Sequence, residues 1–235
     1  MRHYFTLDGV DSRTFGVYIS GQGTFSAPPR SYESQQIPGR SGDILISGKR
    51  LENGTLTYPA FIVRNFDANI RDLRNFLLSR VGYVRLVDSY HTDEYRMVVY
   101  REAFEPEVTE QNNAANFELV FECKPQRFLI SGETVTTLTS TGSITNPTRF
   151  AAQPLIRVYG TGVVGVGSTN ITITAANTYT DIDCSLMAAY KGTANRNAYV
   201  QLNTLDYPVL PTGSTGISLG SGISKVEITP RWWRV

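Results

Sequence analysis

The most regular pattern in this sequence lies between Ala115 and Cys123, and it constrains the fold more than any other. Apolar and charged residues alternate there, which places Phe117, Leu119, Phe121 and Cys123 on one face and Glu118 and Glu122 on the other. Side chains of a strand alternate between its two faces. One buried and one solvated face are typical of an antiparallel sheet. The segment therefore predicts a half-buried antiparallel strand in which Cys123 behaves as a small apolar residue.

Only one segment of the chain has the period of a helix. Apolar residues at Ile70, Leu73 and Leu77 recur with helical spacing, and charged residues separate them. Asp67 is a plausible N-cap, and Gly82 lies just past the end. This pattern predicts a helix over about residues 67–80.

The rest of the first 130 residues has strand character. Predicted strands cover 2–7, 15–19, 54–63, 83–88 and 94–101, the last two joined as a hairpin. Pro59 falls inside one of them. Because proline cannot donate to a strand ladder, we expect it on an edge strand or at a bulge.

The composition changes near Lys124-Pro125, which indicates a second domain. Residues 1–130 carry 15 Lys and Arg and 16 Asp and Glu, whereas residues 131–235 carry only 7 and 5. The second part is rich in Thr, Ser, Gly and Asn, and short strand-like segments follow one another without a helical stripe. This is typical of an antiparallel β-sandwich. We therefore divide the chain into domains 1–130 and 131–235.

The segment Ile37-Pro-Gly-Arg-Ser-Gly-Asp-Ile-Leu-Ile46 cannot be the middle of a helix. Pro38 fixes φ, Gly39 and Gly42 permit positive φ, and Arg40 and Asp43 carry opposite charges. It is an excursion of the chain between two strands. A surface hairpin loop and an arm that grips a neighbouring copy of the chain are both compatible with these residues.

Charge and composition exclude several classes of protein. The net charge of +1 and the pI near 7.7 argue against a dedicated binder of nucleic acid or of a membrane surface. The first residues include Asp8 and Asp11 and lack the apolar core of a secretory signal. No apolar run approaches the ~20 residues that span a membrane. Cys123 and Cys184 lack metal or redox spacing, so we expect a reduced protein made in the cytoplasm.

Two catalytic motifs occur by letter but lack their structural context. Gly160-Thr-Gly-Val-Val-Gly165 fits a dinucleotide fingerprint, yet a turn and a strand follow it where a helix is required. Ser218 lies in a G-x-S-x-G sequence, but the only histidines, His3 and His91, lie far upstream. We expect a glycine-rich hairpin and a strand residue, and we predict no enzyme and no cofactor.

Two clusters of acidic residues also lack the features of a metal site or a catalytic site. Asp88, His91, Asp93 and Glu94 lie in one hairpin turn without the spacing of metal ligands, so we predict no metal. Asp181 and Asp183 share one face of a predicted strand. Paired catalytic carboxylates normally come from different elements across a cleft, so we expect turn or surface roles for these two.

Five aromatic residues of the second half leave two interpretations open. They either seal strand ends and interfaces or build a platform for a sugar. They are Tyr179, Tyr190, Tyr207, Trp232 and Trp233.

The order of these features resembles the distal tail proteins of long-tailed bacteriophages. The resemblance rests first on the Ile37-Pro-Gly-Arg-Ser-Gly-Asp43 excursion before the third strand and on Phe117-Glu-Leu-Val-Phe-Glu-Cys-Lys-Pro125. It continues with Asn146-Pro and Pro154-Leu-Ile-Arg-Val-Tyr-Gly160 at the entry to the second domain. Tyr207-Pro-Val-Leu-Pro-Thr-Gly213 and Val226-Glu-Ile-Thr-Pro-Arg-Trp-Trp233 lie near its end. Together these motifs cover essentially the whole chain.

The resemblance implies a mainly β structural protein of the virion. It implies an N-terminal β-barrel-like domain with one helix and an arm at about residues 37–53, and a C-terminal galectin-like antiparallel β-sandwich. In this family six copies form a ring, the hub that joins the tail tube to the tail tip or baseplate, and the arm of each copy embraces its neighbour. Ile37, Pro38, Gly39, Arg40 and Gly42 are then the expected oligomer-interface residues.

The resemblance also implies the partners and the setting of the protein. Its expected partners are the tail tube protein and the tail-associated tip or receptor-binding proteins, with no membrane and no specific nucleic-acid binding. A near-neutral hub fits a channel through which DNA passes without sticking. Assembly is expected in the host cytoplasm. The alternative function is a carbohydrate-binding module that recognises host surface glycans.

Overall fold

The structure, a computed structural model, describes residues 2–21, 25–63, 65–109, 114–176 and 178–235. Over these residues it is mainly β, with 52% in strands and one α-helix, which confirms the predicted fold class. The chain forms two compact units. The first ends at Arg127, and the second runs from Phe128 to Arg234.

The first unit is built on a curled, half-barrel sheet of antiparallel strands. The strands of the first unit are β1 (Phe5–Leu7), β2 (Val10–Asp11), β3 (Val17–Ile19), β4 (Arg30–Gln35), β5 (Ile44–Leu51), β6 (Gly54–Ile62), β7 (Val84–Asp88), β8 (Glu94–Tyr100), β9 (Glu107–Thr109) and β10 (Ala114–Leu129). The sheet order is β2-β1-β7-β8-β10-β6-β3, and β9 pairs with the start of β10. β4 and β5 form a separate two-stranded sheet.

One face of this sheet holds the core of the first unit. The alternation in β10 has the predicted effect, since Phe117, Leu119, Phe121 and Cys123 are all buried there. Helix α1 (Phe66–Leu78) covers the core with Ile70, Leu73 and Leu77.

The predicted N-cap of this helix is wrong. The helix begins at Phe66, and the residue before it is Asn65, whose backbone is left-handed at φ 52° and whose side chain makes no capping hydrogen bond. Asp67 lies inside the first turn instead. A carboxylate in the first turn of a helix interacts favourably with the helix dipole. This accounts for an acidic residue at this position even though it does not cap the helix.

The predicted edge position of Pro59 is also wrong, because β6 lies inside the sheet between β10 and β3. Pro59 is in regular register with Glu118 of β10. Its carbonyl accepts a hydrogen bond of 2.8 Å from the amide of Ser20, which follows the end of β3. The N–H and C=O of one residue point to the same neighbour in an antiparallel sheet. The nitrogen of Pro59, which carries no hydrogen, therefore points towards the side of β3, and β3 ends before this position.

The second unit contains two antiparallel sheets. Its strands are β11 (Thr136–Leu138), β12 (Gly142–Asn146), β13 (Leu155–Gly160), β14 (Gly162–Val166), β15 (Thr169–Ile173), β16 (Thr180–Asp183), β17 (Ala188–Lys191), β18 (Ala194–Asn195), β19 (Val200–Leu202), β20 (Gly213–Leu219), β21 (Ile223–Thr229) and β22 (Trp233–Arg234). One sheet has the order β11-β21-β13-β16-β17-β18, and the other has the order β12-β20-β14-β15-β19.

The two sheets share one core. Ile156 and Val226 of the first sheet and Val164, Ile171 and Ile217 of the second are completely or almost completely buried in it. Residues that alternate with these core residues along a strand point away from the core, as in other β-sandwiches. The antiparallel sandwich predicted from the short strands is therefore present.

Candidate functional site

Strands β4 and β5 form a hairpin that belongs to no larger sheet among the described strands. Arg30 pairs with Leu51 at its base and Gln35 pairs with Ile44 at its far end. We call residues 30–51 the arm hairpin. It begins before the arm expected at residues 37–53, because the polar segment ahead of Ile37 is its first strand.

A tight turn shapes the tip of the arm hairpin. The amide of Arg40 donates to the carbonyl of Ile37 at 3.2 Å, with Pro38 and Gly39 between them. Gly39 has φ +82°, and this arrangement of proline followed by a glycine with positive φ is that of a type II turn. Gly42 has φ +86°. All five predicted interface residues therefore lie in this one connection.

The charged residues of the tip do not pair with each other. The carboxylate of Asp43 accepts a hydrogen bond from the hydroxyl of Ser34 on the opposite strand. The guanidinium of Arg40 has no hydrogen-bond or ion-pair partner among the described residues, and Arg40 is exposed. The tip thus presents an unneutralised cation to solvent.

Both faces of the arm hairpin carry exposed apolar side chains. Residues paired directly across an antiparallel ladder share a face, and neighbours along a strand alternate. Tyr32, 54% exposed, shares a face with Leu45, 65% exposed, while Ile46, 47% exposed, lies on the opposite face. Neither face is covered by a core of its own chain among the described residues.

The base of the arm hairpin is fixed to the first unit. The amide of Glu52 donates to the carbonyl of Pro29 at 2.9 Å, which closes the hairpin. Arg127 of β10 donates to the carbonyl of Ser26 at 2.9 Å. The same guanidinium lies 3.3 Å from the buried carboxylate of Glu94. A buried ion pair thus orients the arginine that holds the chain just before the arm.

A second contact holds the chain just after the arm. The side-chain amide of Asn53 donates at 2.6 Å to the hydroxyl of Tyr83 and at 2.6 Å to the carboxylate of Glu122. This bond, and then a second from Arg101, lower the pKa of Glu122. The sequence has no local pattern that identifies the residues anchoring the chain before and after the arm, because each lies 30 to 101 positions from its partner.

A cavity of about 250 Å³ lies beside this base. Its lining includes Pro29, Gly54, Arg96 and Cys123. Burial raises the pKa of the Cys123 thiol, which donates a hydrogen bond to the carbonyl of Gly54. A protonated, buried thiol is a poor nucleophile.

The two letter motifs have the structures expected of them. The Gly160–Gly165 segment spans the end of β13 and most of β14, and the next element is strand β15. Ser218 lies in β20 and is paired with Gly165 of β14.

The turn that contains Asp88 and His91 is held by local hydrogen bonds. Asp88 is buried and accepts hydrogen bonds from the hydroxyl of Tyr58 and from the amides of Tyr90 and His91. Within the described residues, no group of three His, Cys, Asp or Glu side chains is placed to hold a metal.

The surface role expected for Asp181 and Asp183 is wrong, whereas the turn role is confirmed for Asp183, which accepts hydrogen bonds from the amides of Ser185 and Leu186. Both are only 3% exposed and each is paired with an arginine, Asp181 with Arg157 at 2.6 Å and Asp183 with Arg231 at 2.8 Å. Burial alone would raise the pKa of Asp183, but hydrogen bonds from Arg231 and Ser185 outweigh it and hold that pKa at about 2. These carboxylates are structural ion-pair partners.

The aromatic residues of the second unit are engaged in packing. Trp232 is buried in the core. Trp233 stacks on Phe150 at 4.4 Å and donates its indole N–H to the carbonyl of Ala151. The ring of Tyr179 lies beneath the guanidinium of Arg157 at 4.3 Å. These contacts favour the structural interpretation of the aromatics over an open sugar platform.

The arrangement around the arm hairpin is therefore suited to binding another protein surface. Its base is anchored, its tip is stiffened by a turn, and its apolar side chains and the guanidinium of Arg40 face solvent. No helix in the described part of the chain is long and apolar enough to span a membrane.

Comparison with known proteins identifies one matching family model and solved structures with a similar fold. Residues 10–123 match the family model described as phage tail protein RIFT-related domain. A search of curated protein sequences found no match.

Among solved structures, the chain is similar to the Dit protein of phage SPP1, described as a paradigm of the hub adsorption apparatus in phages that infect Gram-positive bacteria. The identity is 16%, the TM-score is 0.77, and the alignment covers 100% of both chains. Chains of the phage P2 baseplate in its activated conformation, with Ca and with Sr, match at 13% identity with TM-scores of 0.55 and 0.54. These alignments cover 97% of this chain and 97% and 96% of the baseplate chains.

Proposed function

Because residues 10–123 of this chain match the family model of the phage tail protein RIFT-related domain, and the whole chain is similar in fold to the SPP1 hub protein, we propose that it is a hexameric tail hub. In this proposal the ring joins the tail tube to the tail tip or baseplate of a long-tailed phage. It leaves a central channel through which the DNA passes.

The observation that carries the proposal is the arm hairpin. An isolated two-stranded hairpin is marginally stable at best in water. Here it also exposes apolar side chains on both faces, including Tyr32, Leu45 and Ile46. Such a segment gains stability when another surface covers it. Its anchored base makes it an extension that is ready to bind a neighbouring copy.

A ring supplies that neighbouring copy to every arm. Rings are built from heterologous contacts, in which one surface of a copy meets a different surface of the next. In this proposal the tip residues Ile37, Pro38, Gly39, Arg40 and Gly42 shape the contacting end of an inter-subunit belt. The anchors Arg127 and Asn53 set the direction in which the belt leaves the subunit.

The proposed partners follow from the same role. The ring binds the tail tube protein on one side and tip or receptor-binding proteins on the other, as a virion component assembled in the host cytoplasm. The net charge of +1 supports a channel without strong affinity for DNA.

The experiment that tests the proposal removes the arm and keeps its base. Residues 31–50 are replaced by Asn-Gly, which joins Arg30 to its ladder partner Leu51 through a two-residue turn. Native mass spectrometry and electron microscopy then compare ring formation with that of the wild-type chain. We expect the wild type to form a six-membered ring and the variant to stay a folded monomer.

A matched control replaces the two-residue loop Gly167-Ser168, between β14 and β15, by the same Asn-Gly. This variant is expected to form rings like the wild type. A wild-type chain that stays monomeric at all concentrations and does not bind tube protein would overturn the hub proposal.

A further inference from the structure

A groove lies at the surface of the first unit beside β6 and β10. It is lined by the segment 103–107 and by residues from both faces of these two strands, with a volume of about 600 Å³. Polar surface predominates in it, and Pro59, Phe104 and Val120 are among its apolar lining residues. Phe104 is held in place by stacking on Phe117 at 5.1 Å. The groove is in the size range of clefts that bury a small ligand, which is also enough for a short turn of chain.

The charged residues that line this groove all have the same sign. They are Glu105, Glu107 and Glu118. None of the three has an ion-pair partner among the described residues. Glu118 is on strand β10, directly opposite Pro59, so its side chain projects from the same face as Pro59. The groove therefore suits a positively charged segment with some apolar surface.

The arm hairpin has these properties. Residues 30–51 contain four Lys and Arg but only two Asp and Glu. Its tip places the unpaired guanidinium of Arg40 beside the apolar side chain of Ile37, 39% exposed. A strand of eight residues such as β5 spans roughly 27 Å, which carries the tip well away from its base.

We propose that the acidic groove of one copy receives the tip of the arm hairpin of the next copy, with Arg40 facing the three glutamates. The inference rests on the proposed ring and names the surface that completes it. Opposite charges at each junction also fix the register of neighbouring copies, since a misplaced arm would leave Arg40 and the glutamates buried without partners.

The test uses full-length chains and follows ring formation by native mass spectrometry over a range of concentrations. Arg40→Glu in the tip and Glu118→Lys in the groove are made as separate variants. Arg40→Glu places a negative charge opposite the three glutamates, and Glu118→Lys places a lysine opposite Arg40 and reduces the net negative charge of the groove. We expect the concentration for half-assembly to rise about tenfold or more in each case.

Mixing the two variants gives a sharper result. In a ring with an even number of copies they can alternate, and every junction then has opposite charges at positions 40 and 118. The arm that carries Arg40→Glu meets the groove that carries Glu118→Lys, and the unchanged arm of the second variant meets the unchanged groove of the first. We expect the one-to-one mixture to assemble at a lower concentration than either variant alone. An arm that folds back on its own copy would show no such rescue.

A control separates this effect from the overall change of charge. Arg149→Glu makes the same change at an exposed position of the second unit and is expected to leave assembly unchanged. If this control disrupts the ring as strongly as Arg40→Glu, or if the mixture stays as dispersed as its components, the groove is not the receiving surface. In that case wild-type rings would still support the hub. If the wild type forms no ring, both proposals are overturned.

Discussion

Asp183 ends strand β16, where its carboxylate is shielded from water by the fold of the second unit. It accepts hydrogen bonds from the guanidinium of Arg231, from the hydroxyl of Ser185 and from the amide of Leu186. Breaking such a buried pair by removing one partner leaves an uncompensated charge. Asp183 is therefore a structural residue whose contribution depends on its ionised form.

The low pKa of Asp183 predicts how acid affects the second unit. Its folded pKa of about 2 lies below the ordinary 3.8, so its contribution is fully present above pH 4 and is lost as the pH falls towards 2. The difference corresponds to about 2 kcal/mol. We expect the free energy of unfolding to fall by about that amount across this range, when urea unfolding is followed by tryptophan fluorescence. Both tryptophans, Trp232 and Trp233, lie in the second unit.

Asp183→Asn provides the comparison. The neutral amide removes the titrating group, so the variant is expected to be less stable at pH 7 and to lose less stability on acidification. Equal losses of stability in the wild type and the variant would show that other carboxylates cause the acid dependence.

At the scale of elements, two leucines of helix α1 that lie five positions apart differ in their exposure to solvent. Leu73 is completely buried against the half-barrel sheet, whereas Leu78, in the last turn, is 73% exposed. The helical period predicted the buried side correctly. An exposed leucine at the end of a helix has little effect on folding unless another surface covers it.

We expect Leu73→Ala to destabilise the first unit by about 3 kcal/mol, through lost burial and the cavity left behind. Leu78→Ala, the same change at an exposed position, should alter stability by less than about 0.5 kcal/mol. Hydrogen exchange resolved along the chain measures both, with faster exchange across β6 and β10 expected only for Leu73→Ala. Similar effects of the two substitutions would contradict this assignment of the helix faces.

At the scale of the whole molecule, much of the fold could be predicted because local periodicity carries it. The alternation in β10, the single helix and the short strands of the second half each follow from spacing within ten residues or so. The resemblance to distal tail proteins is confirmed by the tail-protein domain over residues 10–123 and by the shared fold.

The candidate site could be predicted only in part, because its supporting contacts are not local. The tip turn is visible in the sequence, since proline and glycine have strong local preferences. Its anchors are not, since Arg127 meets Ser26 and Asn53 meets Glu122 only after the sheet has formed. The burial of Asp181 and Asp183 was missed for the same reason, because their arginine partners lie 24 and 48 residues away.

The arm hairpin, with both faces uncovered in a single subunit, also bears on how intermediates of assembly behave. In the proposed ring, any incomplete arc has an unused hairpin at one end and an unfilled groove at the other. Only closure removes both, so partial arcs gain less stability per subunit than the closed ring. We expect sedimentation profiles to show monomers and complete rings with few species between them, at all protein concentrations. A ladder of abundant dimers, trimers and tetramers would contradict this cooperative closure.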